Sequence, residues 1–314
     1  MQTTTPNVDP DASSTEQQLS ITHLTNTMAR SCFYRLLVAA TLCLPAVAWS
    51  ADDAQHLQIT AALQAGFISV PNTPTLTLLH RTDSPQRRPS DPTLIFFEGD
   101  GAPWTAFGTL PPRDPTPHQS IGLDLALSTA RRSRFNVIYV ARPCQFESKA
   151  RLQACSQTQW TQDRYSNEQR ALLLSSTTRA LQFAATAKNA QPLVTLIGHS
   201  GGGLMAIRIA ASFSQTGYPV AQVITLASPI DPVIWAKNHQ FSALNLDSYY
   251  QDLGRVQASG LAEHYIGEND KLVTAKDVGK NIITSVPDTG HASGWLPYWN
   301  QTLLTKLMAQ LRNE

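Results

Sequence analysis

The sequence predicts an α/β protein: a mostly parallel sheet with helices on both faces. Three observations carry this. Apolar runs at Leu94–Phe97, Asn136–Val140 and Leu193–Ile197 are continuous rather than alternating, as strands buried on both faces are. Helical patterns separate such runs, over 167–188 with Leu173, Ala180, Leu181 and Ala184 on one stripe, and over Leu204–Phe213. Each run stops abruptly at loop chemistry: Glu98-Gly99-Asp100-Gly101, Arg142-Pro143 and Gly198-His199-Ser200.

Taken in order, Thr75–Leu79 alternates and reads as a short strand. The three apolar runs follow as strands, with the 167–188 helix before the third and the Leu204–Phe213 helix after it. Val223–Leu226 and His264–Ile266 are two further strands. From Gly294 onward a closing helix carries Leu303, Leu304, Leu307 and Leu311. There is no internal repeat and no long linker, so residues 52–314 read as one α/β domain.

Composition narrows the function classes. Apolar residues make up 42% of the 314 and charged residues 15%, enough to bury a sizeable core. With 24 basic and 23 acidic side chains the net charge is +1, and no basic or acidic tract occurs. Nothing therefore points to nucleic acid or an anionic membrane surface as a partner. The sequence has no His-x-x-x-His, no closely spaced cysteine pair of the zinc type and no Gly-x-Gly-x-x-Gly, so neither a metal nor a nucleotide cofactor is expected.

The N-terminus reads as an export signal. Residues 1–27 are polar and lack an apolar period, which describes a disordered leader, one that is untranslated if synthesis starts at Met28. Residues 28–50 hold Arg30, Arg35, the apolar run Leu36–Ala48 and the small residues Ala48 and Ser50, the pattern of a cleaved signal peptide. An uncleaved membrane anchor is the alternative, although the run is short for a bilayer span. The expected mature chain begins near Ala51, is periplasmic or secreted, and has no stable membrane insertion. Cys144 and Cys155 would be its only thiols. An even pair in an exported protein predicts a disulfide, against the alternative of two unpaired buried thiols.

The stretch Gly198-His199-Ser200-Gly201-Gly202 places a serine between a buried strand and a helix. That is the setting of a nucleophile elbow, in which glycines let strand and helix approach and the serine hydroxyl stands clear of the sheet. A serine hydroxyl needs a base to take its proton and a third group to orient that base. In an elbow-bearing sheet the chain order is serine, acid, histidine. Only His239, His264 and His291 follow Ser200. His264 opens a strand and His239 lies in an irregular polar stretch, whereas His291 sits in a loop before the last helix, where the base belongs. Asp270, in the loop after the His264–Ile266 strand, is the first candidate for the acid, with Asp231 and Glu268 as alternatives.

These residues carry a resemblance. The chain resembles the α/β-hydrolase superfamily over nearly all of residues 65–312, and within it a branch of exported bacterial hydrolases. The segments that carry it are FFEGDGAPW at 96–104, ARPCQF at 141–146, WTQDRYS at 160–166, GHSGGG at 198–203, YIGENDKLV at 265–273 and GHASGW at 290–295. The resemblance implies a single domain with about eight mostly parallel strands, a triad of Ser200, Asp270 and His291, and no cofactor. It also implies an oxyanion hole built from the N–H groups of Gly201 and Asp100, because Glu98-Gly99-Asp100-Gly101 takes the place where many relatives carry His-Gly. The Asp100 carboxylate is expected to turn away from the oxyanion. Trp104 and His199 are candidates for the substrate pocket, with a core role open for Trp104.

The reading is an exported serine hydrolase acting on a small-molecule ester or acyl substrate, most plainly a carboxylic ester, through an acyl-enzyme. A peptidase, amidase or acyltransferase of the same fold is the alternative within enzymes. A non-catalytic hydrolase-fold binding protein is the alternative outside them. Two features bear on specificity. Residues 231–256 form either a cap over the site or a helix-bearing connection packed on the sheet. Arg142 and Arg164 suit structural ion pairs better than a substrate carboxylate.

Overall fold

The computed structural model describes residues 51–85, 91–103, 110–185, 191–279 and 281–310. The leader, the signal segment and Trp104 lie outside them. Eight strands form one sheet in the order β1-β2-β4-β3-β5-β6-β7-β8. They are β1 (Ile68–Ser69), β2 (Thr77–His80), β3 (Thr93–Phe97), β4 (Asn136–Val140), β5 (Val194–His199), β6 (Val220–Leu226), β7 (Ala262–Gly267) and β8 (Ile283–Val286). The β1–β2 and β2–β4 pairings are antiparallel and the others parallel. The expectation of an α/β fold with about eight mostly parallel strands therefore holds.

The helices are α1 (Ala51–Gln64), α2 (Ile121–Arg132), α3 (Lys149–Leu152), α4 (Asn167–Ala184), α5 (Gly201–Thr216), α6 (Pro232–Asn238), α7 (Tyr249–Ala258), α8 (Trp295–Tyr298) and α9 (Leu304–Gln310). They cover the sheet on two faces, as continuous apolar strands require. On β3, Ile95 and Phe97 enter the core beneath α4, α5 and α7, while Leu94 and Phe96 enter the core beneath α2, α8 and α9. All thirteen residues from Gly201 to Phe213 are buried, so α5 is a core helix rather than an amphipathic one.

Strand order reverses between β3 and β5: β4 lies on one side of β3, and the chain then returns to pair β5 on the other. Open α/β sheets bind ligands at such a switch point, beyond the carboxyl ends of the strands. The Glu98–Gly101 loop and the Ser200 turn leave those two strand ends.

Residues 231–256 take the form of a packed connection. Trp235, Leu246, Tyr249, Leu253 and Val256 are buried in the core with α5. Arg208 of α5, fully buried, reaches Asp252 of α7 at 3.1 Å, and Tyr249 donates to the Ile230 carbonyl at 2.9 Å. The expected 167–188 helix ends at Ala184, and the expected closing helix is α8, one π-helical stretch at Trp299–Leu303 and α9.

His264 lies mid-sheet on β7, hydrogen-bonded through Nδ1 to Thr225 Oγ1 on β6 at 2.8 Å. Burial lowers its pKa to about 4, from 6.5 for a free ring. Between those values the unfolded chain binds a proton that the native chain refuses. Stability from this group is complete above pH 6.5 and falls as pH drops toward 4, by about 1.4 kcal/mol per pH unit. In His264→Gln, urea unfolding should therefore show a loss of stability between pH 7 and pH 5 that is about 2 kcal/mol smaller than in the native chain. Equal losses in the two chains would contradict a buried neutral ring.

Candidate active site

The site starts from one residue of backbone between β5 and α5. Ser200 has φ 53° and ψ −129°, a conformation that a side chain rarely adopts and that surrounding structure must enforce. Its N–H donates to the Leu226 carbonyl at the end of β6 at 2.8 Å, and its carbonyl accepts from Gly203 at 3.0 Å. The glycines on either side answer close approach. A Cβ on Gly198 would stand 2.2 Å from the Gly202 carbonyl oxygen, and one on Gly202 would stand 2.4 Å from that of Phe97. With these contacts the α5 N-terminus begins directly behind Ser200 and brings its partial positive charge there.

Asp270 and His291 come from the loops after β7 and β8. His291 Nε2 lies 3.1 Å from Ser200 Oγ, and His291 Nδ1 lies 2.9 Å from Asp270 Oδ2. The other carboxylate oxygen, Asp270 Oδ1, accepts the N–H groups of Leu272 at 2.8 Å and Val273 at 2.9 Å. A turn closed on one oxygen thus leaves the second for the imidazole. The acid loop and the histidine loop are tied together where Asn269 donates to the Thr289 carbonyl at 2.9 Å.

His199 and Trp295 support His291 from behind. His199 Nε2 and Trp295 Nε1 both donate to the His291 carbonyl, at 2.7 and 3.0 Å, and Trp295 also donates to the Gly290 carbonyl at 2.9 Å. Burial holds the His199 ring neutral, with its pKa lowered to about 3. The His199 ring, a candidate for the substrate pocket, braces the histidine loop. The alternatives to Asp270 and His291 are engaged elsewhere. Asp231 caps α6 through Ile234 and accepts from Tyr250, and Glu268 is exposed. His239 stacks on Phe241, and His264 sits within the sheet.

Asp100 lies beside the elbow. Its Oδ1 is 2.0 Å from the point a Cβ on Gly201 would occupy, so the carboxylate rests over the start of α5. Arg142 Nη1 pairs with Asp100 Oδ1 at 2.8 Å and Arg164 Nε with Oδ2 at 3.0 Å, while the Tyr165 hydroxyl donates to Oδ2. Both arginines are therefore in structural ion pairs. Among the described residues, neither the Asp100 N–H nor the Gly201 N–H has a hydrogen-bond acceptor. Glu98, at the end of β3, is buried with its pKa raised by desolvation, and accepts from Gly99 N–H, Tyr139 and Ser120. Its engagement was not read from the sequence, nor was the role of Trp295.

Cys144 and Cys155 form a disulfide with Cα atoms 6.2 Å apart. Among the described residues, no three His, Cys, Asp or Glu side chains gather as a metal-ligand set, and no helix is long and apolar enough to cross a membrane.

The strand order, the strained strand-to-helix turn at Ser200 and the chain order Ser200, Asp270, His291 meet in one structure. The chain has the α/β-hydrolase fold. No protein-family model and no curated protein sequence matches it. Solved structures with a similar path include a hormone-sensitive lipase from a metagenome library, at 12% identity and a TM-score of 0.46, covering 83% of this chain and 91% of that one. Est1E from Butyrivibrio proteoclasticus follows at 11% and 0.45, covering 79% and 99%. The capsule O-acetyltransferase of Neisseria meningitidis serogroup A stands at 12% and 0.42, covering 74% and 91%. As with other chains of the α/β-hydrolase fold, what this one does must be argued from its own site.

Proposed function

We propose that the chain is a serine hydrolase that cleaves carboxylic esters through an acyl-enzyme. The observation that carries this is the unbroken line from Ser200 Oγ to His291 Nε2 at 3.1 Å and from His291 Nδ1 to Asp270 Oδ2 at 2.9 Å, set on a strained elbow. Nδ1 faces a carboxylate, which only accepts, so the neutral ring keeps its proton there and offers the Nε2 lone pair to the serine hydroxyl.

The steps follow from that tautomer. Ser200 Oγ attacks the acyl carbon while His291 Nε2 takes its proton, and the carbonyl π electrons move onto oxygen. The N–H groups of Gly201 and Asp100 stabilise this oxyanion, next to the positive end of α5. Collapse breaks the bond to the alcohol oxygen, which receives the proton from His291. Water then gives a proton to His291 and attacks the acyl carbon, and Ser200 departs with that proton as the acid is released. Asp270 holds the imidazolium throughout. An ester is the substrate this set opens with least help, because an alkoxide leaves more readily than an amide nitrogen.

Kinetics of single and double variants test the assignment. Ser200→Ala and His291→Ala should each lose nearly all ester turnover, and the double variant little more, since such residues act as a unit. Asp270→Asn should lose on the order of a thousandfold or more. Small, additive losses at the three sites would refute it.

We further propose that the chain works outside the cytoplasm. The basic start, the apolar run and the small residues before Ala51 support this, as does a disulfide between the two cysteines left after cleavage. N-terminal sequencing of protein from the native host should find a start near Ala51. A soluble cytoplasmic chain beginning at residue 1 would overturn it.

A further inference from the structure

Gln145 is 1% exposed and joins the loops that follow β3 and β4. Its Nε2 donates to the Gly99 carbonyl at 3.0 Å, and its Oε1 accepts the Arg142 N–H at 3.1 Å. The Gly99 carbonyl and the Asp100 N–H belong to the same peptide unit. That unit is planar and trans, so its C=O and N–H point in opposite directions. A donor fixed on the Gly99 oxygen therefore fixes the direction of the Asp100 N–H.

The residues on both sides of that peptide unit are also held. The Gly99 N–H, in the preceding peptide unit, donates to Glu98 Oε1 at 2.9 Å. On the Asp100 side, the carboxylate is gripped by Arg142, Arg164 and Tyr165. These grips are not well explained as stabilising features. Arg142 Nε and Arg164 Nη2 are buried with no acceptor among the described residues, and buried guanidinium groups with unmet N–H groups cost stability. A requirement for one backbone geometry accounts for them.

Gln145 is itself held by a strained loop. Its neighbours Cys144 and Phe146 have φ of 68° and 58°, left-handed values that non-glycine residues keep only when their surroundings impose them. Cys144 is bonded to Cys155, and the Phe146 N–H donates to Thr116 Oγ1 at 2.7 Å.

We propose that Gln145, held in place by the Cys144–Cys155 loop, is a positioning residue that aims the Asp100 N–H at the oxyanion. The assignment rests on the reading of that N–H as an oxyanion donor. Gln145 makes no contact with substrate and acts through the peptide plane.

Gln145→Glu separates this role from packing. It keeps the shape and the acceptor for Arg142; as a carboxylate it has no donor for Gly99, and it adds a negative charge beside that carbonyl. With a p-nitrophenyl ester, kcat should fall roughly ten- to hundredfold with KM within about twofold, as a misaimed donor costs the transition state and not the ground state. Affinity for an aryl trifluoromethyl ketone, which adds to Ser200 Oγ and places an oxyanion in the same position, should weaken by the same factor. The double variant Cys144→Ala/Cys155→Ala leaves Gln145 intact but unpinned, and should show a parallel, smaller loss in both readouts. A folded Gln145→Glu, judged by circular dichroism, with native kcat and ketone affinity would overturn the proposal. If Gln145→Glu does not fold, native values in the disulfide-free chain would overturn it. A native chain that neither turns over esters nor takes a fluorophosphonate at Ser200 would overturn the hydrolase reading itself, a result distinct from an active native chain with equally active variants.

Discussion

The site depends on one strained residue. Ser200 occupies a backbone conformation that an unconstrained chain avoids, and it does so because β5, β6 and α5 leave no other path. The hydrogen bond from its N–H to Leu226 continues the β5–β6 ladder one residue beyond the strand, and α5 begins at the next residue. Gly198 and Gly202 let helix, strand and the end of β3 approach to distances that a side chain would block. The hydroxyl thereby stands at a helix N-terminus and beside the loops that follow β7 and β8.

Those loops bring charge to the serine in a graded way. Asp270 is buried and satisfied by two backbone N–H groups on one oxygen, which leaves the other to orient His291. His291 is braced through its carbonyl by His199 and Trp295. Because burial keeps His199 neutral, this brace adds no positive charge next to the ring proposed to accept a proton. On the other side of the elbow, Asp100 brings a carboxylate close to the start of α5, and the two arginines and Tyr165 offset it there. A free carboxylate at that place would oppose the oxyanion that the adjacent amides are proposed to hold.

Much of this was legible in the sequence, for local reasons. Buried parallel strands are long apolar runs, so β3, β4, β5 and β6 stand out. β1 has two exposed residues and β8 has one buried residue in four, so neither carries a pattern. α2 places Gly122 and the polar Thr129 in its buried stripe, and α8 leads into a π-helical stretch that breaks the 3.6 period. Ser200 was legible because an elbow is a contiguous motif, and His291 because chain order leaves few candidates. Asp270 was harder to separate from Asp231 and Glu268, since what distinguishes it is a turn that closes on one of its oxygens. The partners of Asp100 lie 42 to 65 residues away, and only the fold pairs them. An even cysteine pair in an exported chain suggested a Cys144–Cys155 bridge, but its link to the Gly99–Asp100 peptide through Gln145 exists only in three dimensions.

The central claim is that the hydroxyl of Ser200 is a nucleophile made reactive by His291. Mass spectrometry after treatment with a fluorophosphonate tests it most directly, because the reagent phosphonylates a serine only where a base activates it. One adduct per chain is expected, located on Ser200, with far slower labelling of His291→Ala. An adduct on another residue, or no adduct on folded native protein, would contradict it.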